Sequence, residues 1–187
     1  DTLWTRTYDQ ASGSDQIVKV LVDKNNDVIV MGSSASAGNS DDIVIQKYNQ
    51  AGTIINSYSY DGINHKSDKA VDIIADEKDG NFYICGKSLL AAYNGYAVIK
   101  TSNQLVRKWA KIESPQYGSV PMKISFNSDC QRVVVTGYHT DWYNKYSIGT
   151  IVYDSAGVKI WDKVYQKVAD KSAVGFDVKI MSLGDVY

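Results

Sequence analysis

Ala70-Val-Asp-Ile-Ile-Ala75, then Asp76-Glu-Lys-Asp-Gly80, then Phe82-Tyr-Ile-Cys-Gly86 form one continuous stretch broken only by Asn81. The outer pieces are short and rich in β-branched and aromatic residues, whereas the middle is acidic and closes on Gly. That is the signature of two strands joined by a tight turn. The same triplet precedes it as Ile17-Val-Lys-Val-Leu-Val22, Asp23-Lys-Asn-Asn-Asp27 and Val28-Ile-Val-Met-Gly32. It follows as Met122-Lys-Ile-Ser-Phe126, Asn127-Ser-Asp-Cys-Gln131 and Val133-Val-Val-Thr-Gly137. Each triplet is succeeded by a third apolar run (Ile43–Tyr48, Tyr96–Thr101, Ser147–Tyr153). A turn comes next (Tyr48-Asn-Gln-Ala-Gly52, Thr101-Ser-Asn-Gln-Leu105, Tyr153-Asp-Ser-Ala-Gly157), and a fourth segment is marked by Asn56, Trp109 or Trp161. With Trp4 leading, that last marker recurs every ~52 residues, and the Gly and turn markers share the period.

Four short strands per repeat and no sustained 3.6-residue periodicity predict an all-β β-propeller built of four-stranded antiparallel blades. With strands named A to D outward, the complete blades are 17–60, 70–113 and 121–165. Residues 1–9 are expected as an isolated outer strand, and 173–187 as the A and B strands of a fourth blade, so the whole of 1–187 is one partial propeller. About three and a half blades cannot close a ring alone. The remainder is expected from the rest of a longer propeller or from a second copy of the chain.

The stretch from Ala70 to Gly86 and the Tyr153-Asp-Ser-Ala-Gly157…Trp161 pattern resemble the SBBP-type (beta-propeller repeat) family of bacterial surface and secreted proteins. The resemblance covers essentially the whole chain. It implies a seven-bladed propeller, which at this period needs about 365 residues, as part of an exported protein with no general catalytic residues. Asn56 in place of Trp and Leu105 in place of Gly depart from the pattern, as does Phe126–Cys130. The Asp…Gly…Trp spacing is also similar, more weakly, to quinoprotein propellers, without a cofactor signature.

Twenty basic against twenty-one acidic residues leave a net charge of −1, which gives no electrostatic reason to expect nucleic acid or an anionic membrane as partner. No apolar run is long enough to span a bilayer. No charged leader with an apolar core opens the chain, which reads as a mature or trimmed product. Cys85 and Cys130 occupy non-equivalent places and are expected as free thiols. The acidic turns at 23–27 and 76–81 lack the ligand spacing of a calcium loop and are explained by Asx-turn chemistry, so no metal and no cofactor is expected.

Specificity is expected in the D–A loops (Asp9–Gln16, Asp61–Asp68, Ser114–Ser119, Gln166–Ser172) and B–C loops (Ser33–Asp41, Lys87–Gly95, Tyr138–Lys145), which share one face. Tyr138–Tyr146 concentrates His139, Asp141, Trp142, Tyr143 and Tyr146, with Tyr93 and Tyr96 in the neighbouring blade and His65 on the same face. Aromatic rings with polar tips suit a glycan or peptide ligand; the same rings would also serve to pack a long loop. Lys19, Asp72 and Lys123 fall at comparable A-strand registers and are expected to line the channel, gripping an anion or pairing across the axis. His65 and His139 could serve as general bases, but with no nucleophile or paired carboxylate assigned to them each is expected as a surface histidine. A non-catalytic binding or scaffold module is therefore expected, the alternatives being a polysaccharide hydrolase or lyase, or a quinoprotein-like protein.

Overall fold

The computed structural model describes residues 2–10, 13–35, 40–113, 117–166 and 171–187. Twelve strands make three four-stranded antiparallel sheets, each from consecutive strands in sequence order. Sheet 1 holds β1 (Asp15–Val22), β2 (Val28–Ala35), β3 (Asp41–Tyr48) and β4 (Ile54–Tyr60). Sheet 2 holds β5 (Asp68–Ala75), β6 (Phe82–Leu89), β7 (Asn94–Thr101) and β8 (Arg107–Glu113). Sheet 3 holds β9 (Ser119–Asn127), β10 (Arg132–Thr140), β11 (Tyr146–Asp154) and β12 (Lys159–Tyr165). A 3₁₀ turn at Ile63–His65 is the only helical piece among the described residues.

The turns form because an Asx or Ser side chain heads them. Asp23, Asn49, Asp141 and Asp154 each accept the backbone N–H groups two and four residues on, and Ser102 Oγ does the same. The last turn residue then takes a left-handed conformation: Gly52 and Gly157 adopt it freely, and Leu105 adopts it at φ 58°.

The sheets stack face to face. β5 lies against β1, β2 and β3, and β9 against β5, β6 and β7. The first seam buries Ile29, Met31, Ile43 and Ile45 against Ile73, Phe82, Ile84 and Leu105. The second buries Tyr83, Cys85, Tyr96 and Val98 against Ile124, Val133 and Val135. Each sheet thus covers its neighbour's apolar face, and the outer faces of sheets 1 and 3 have no following sheet. On sheet 3, Val178 and Ile180 cover Val134 and Val152. Residues 173–187, expected as two strands, make a turn closed by one bridge, Ile180 to Val186. On sheet 1, Val20 and Val22 are exposed.

Of the expected outer strand at 1–9, residues 2–9 form no ladder with any strand among the described residues, and Asp1 lies outside them. Its Trp4 is nonetheless in register. The Trp4 indole N–H donates to Gln50 O, as that of Trp109 donates to Ser155 O. A Cβ on Gly52 would fall 2.6 Å from the Trp4 ring, and one on Gly157 2.8 Å from the Trp109 ring. Residues 2–9 therefore sit on sheet 1 as β8 sits on sheet 3. Between this segment and β1–β3 a groove of about 360 Å³ opens, lined by Tyr8, Val30, Val44 and Tyr48.

Candidate functional site

The D–A and B–C loops emerge at one end of the sheets, as expected. Parts of four expected loops, residues 11–12, 36–39, 114–116 and 167–170, lie outside the described residues. In β10 the ladder continues past Gly137 to Thr140, pairing with both β9 and β11. This extension moves two expected ligand residues inside. His139 is buried and its ring stacks on Tyr96, with centroids 5.1 Å apart. Tyr96 is itself fully buried, its hydroxyl donating to Gly149 O at 3.3 Å. Burial holds His139 below the ordinary histidine range and raises Tyr96. Both belong to the seam between sheets 2 and 3, not to the loop face.

Asp141 is committed to its own turn, accepting the Tyr143 and Lys145 N–H groups. Tyr146 packs on Tyr138 with centroids 4.5 Å apart. Trp142 and Tyr143, at 71% and 76% exposure, are the residues that turn presents to solvent. Trp142 does not stand alone. Its ring meets Tyr117 edge-on at 5.3 Å, and Tyr117 meets Tyr93 edge-on at 6.0 Å. Three rings from two B–C loops and one D–A loop thus make a continuous aromatic shelf over the seam of sheets 2 and 3. Tyr117, at φ 69° next to Gly118 at φ 107°, is the middle ring. Its lone position in a loop carried no signal in the sequence.

His65 stands one seam away. It is exposed and its Nδ1 pairs with Asp61 Oδ2, which raises its pKa. It makes no part of the shelf.

Lys19, Asp72 and Lys123 do come together. Lys19 Nζ lies 2.5 Å from Asp72 Oδ1, and Lys123 Nζ lies 3.2 Å from Asp72 Oδ2. The charges pair from sheet to sheet, both lysines sharing the Asp72 carboxylate. Asp177 repeats the Asp72 position: its Oδ1 accepts the Val178 N–H as Asp72 Oδ1 accepts the Ile73 N–H. The series Lys19, Asp72, Lys123, Asp177 therefore alternates in sign. A second polar ladder links the sheets farther out. Buried Lys47 pairs with Asp23 at 2.7 Å and Asp27 at 3.2 Å and donates to Asn103 O of the next sheet, and Lys100 donates to Ser155 O. Lys47 occupies the acidic turn at 23–27 as its counter-ion.

Cys85 and Cys130 are free, and burial pushes the Cys85 thiol up, away from reactivity. No helix is long and apolar enough to cross a membrane among the described residues. No protein-family model matches the chain, and no curated protein matches it.

Proposed function

We propose that the chain is a run of β-propeller blades serving as a non-catalytic binding and scaffold module of an exported bacterial protein, with a glycan as the ligand of its loop face. The observation that carries the ligand assignment is the shelf of Tyr93, Tyr117 and Trp142. Edge-to-face contacts fix the rings relative to one another while solvent reaches Trp142 and Tyr93. Fixed aromatic surface offers apolar area to a sugar face at little entropic cost. Propeller blades and the resemblance to SBBP-type repeats support an exported scaffold, and further blades, from a longer polypeptide or a second copy, complete the ring on the open side of sheet 1.

The test is affinity electrophoresis of the chain through gels carrying bacterial, plant and fungal polysaccharides, followed by titration with oligosaccharides of any that retard it. Trp142→Ala and Tyr117→Ala should each weaken binding by about tenfold, the loss of about 1.4 kcal/mol of ring contact. His65→Ala should leave it unchanged. Retardation by no polysaccharide, or equal retardation of both shelf variants, rejects the reading.

A further inference from the structure

We propose that Asp42, Asp61, Asp68 and the Ser88 hydroxyl bind a divalent cation, calcium by size, at the loop end of the seam between sheets 1 and 2. Asp42 is the second residue of β3, Asp61 follows β4, and Asp68 opens β5, so three elements from two sheets converge. One carboxylate oxygen from each lies within 4.8 Å of the other two. Oxygens around calcium sit about 2.3–2.6 Å from the ion, so any two ligands are separated by no more than about 5 Å. The observed spacing satisfies that limit without rearrangement of the sheets.

Two further observations point to a missing ligand rather than to a solvated acidic patch. Asp68 is 1% exposed and Ser88 is 0% exposed, and they face each other directly in the β5–β6 ladder. Ser88 Oγ has no hydrogen-bond partner, and neither has Asp68 Oδ1. Both atoms lie beside Gly62, where an added Cβ would fall 2.8 Å from the first and 2.7 Å from the second. Ser88 thus places a neutral, fully buried oxygen beside the Asp68 carboxylate. A side chain at Gly62 would occupy that same approach.

The charge balance agrees. Asp68 Oδ2 accepts the Gly62 N–H at 2.6 Å, and Asp61 pairs only with exposed His65. Among the described residues neither Asp61 nor Asp68 is ion-paired to a lysine or arginine; Lys69, next to Asp68 in sequence, is paired to Asp41 at 3.3 Å. Buried negative charge without a counter-ion is costly, and a hard dication with oxygen ligands neutralises it. The other seam lacks the set: Ser119 stands at the Asp68 position and Gly95 at the Asp42 position.

The purified chain, stripped with chelator and dialysed, is titrated with calcium chloride by calorimetry and followed by thermal unfolding. One calcium per chain is expected, with a dissociation constant of about 1 mM or tighter and a Tm that rises with calcium. Asp68→Asn, Asp61→Asn and Ser88→Ala should each weaken binding, the aspartate changes by about tenfold or more. Exposed Asp61 supplies the decisive variant if Asp68→Asn fails to fold. No heat and no Tm change at about 10 mM calcium overturns the proposal. So does calcium binding that Asp61→Asn and Ser88→Ala leave unaltered, and so does a Tm that rises only on acidification, which marks a proton as the counter-charge.

Discussion

Asn56 and Leu105 make the sharpest test of how the sheets are held. At the two equivalent seams a tryptophan lies on a glycine: Trp4 on Gly52 and Trp109 on Gly157. At the seam of sheets 1 and 2 the tryptophan is Asn56 and the glycine is Leu105, which is 3% exposed and packs into the shared core. By the repeat the two replacements fall at equivalent positions of one seam, and the hypothesis tested is that they compensate, the buried leucine taking space that an indole takes at the others. Leu105→Gly removes a left-handed leucine, a gain of about 1 kcal/mol, but empties a buried site where Leu→Ala alone costs about 2–5 kcal/mol. A net loss of about 2 kcal/mol follows. Asn56→Trp alone drives an indole against Leu105, an overpacking cost of about 1–3 kcal/mol. The double variant rebuilds the arrangement of the other seams and should lie within about 1 kcal/mol of the parent, a coupling of about 3 kcal/mol. Urea unfolding followed by circular dichroism and tryptophan fluorescence reads all four corners of the cycle. Additive losses, with the double variant at least as unstable as the sum of the singles, would refute the reasoning. Leu105→Ala, which keeps the left-handed residue and loses the packing, serves as the control.

Lys47→Ala leaves Asp23 buried without its cation and should cost about 3–5 kcal/mol, whereas Lys47 and Asp23 replaced together by Met and Asn should cost less than Lys47→Ala alone; denaturant midpoints compare them. His139 is held neutral by burial, so its contribution to stability is intact above the ordinary histidine pKa and is lost as pH falls below it. Tm should therefore drop between pH 7.5 and 5.5, and His139→Phe, which keeps the stack on Tyr96, should flatten that drop. The exposed His65–Asp61 pair acts in the opposite sense and is removed from the comparison by working in high salt.

Strand runs, turns and the repeat were legible because each rests on neighbours in sequence: an Asp or Asn at a turn head reaches N–H groups two and four residues on. Contacts between sheets were not. Asn56 and Leu105 read as two separate irregularities, since their shared seam is formed only by stacking. His139 and Tyr96 read as loop residues because Gly137 looks like a strand end, yet β9 and β11 both pair on past it and a stacked imidazole breaks the apolar pattern without breaking the strand. Tyr117 and Asp68 have no local motif, and attention to the acidic turns at 23–27 and 76–81 led away from the aspartates that do converge. In the first of those turns the charge is already met by Lys47, a residue whose alternation in β3 gave no hint of burial.

The seams, as much as the sheets, carry the repeated contacts of this fold. Within one sheet the chain repeats a hydrogen-bond ladder that any β-branched sequence supplies. Between sheets it repeats specific contacts: Trp4 and Trp109 on the next turn, Lys47 and Lys100 on the next turn's carbonyls, and the alternating Lys19, Asp72 and Lys123. Each sheet is therefore stabilised mainly by its neighbours, as in other stacked repeats. Both candidate ligand sites straddle a seam: the aromatic shelf takes Tyr93 from sheet 2's B–C loop and Trp142 from sheet 3's, and the carboxylate cluster takes Asp42 from sheet 1 and Asp68 from sheet 2. A ligand at either one bridges two sheets and binds only when they are stacked, so its binding energy adds to that seam's stability. Specificity can then change seam by seam through loop residues, while the contacts deeper in each seam keep the stacking geometry constant.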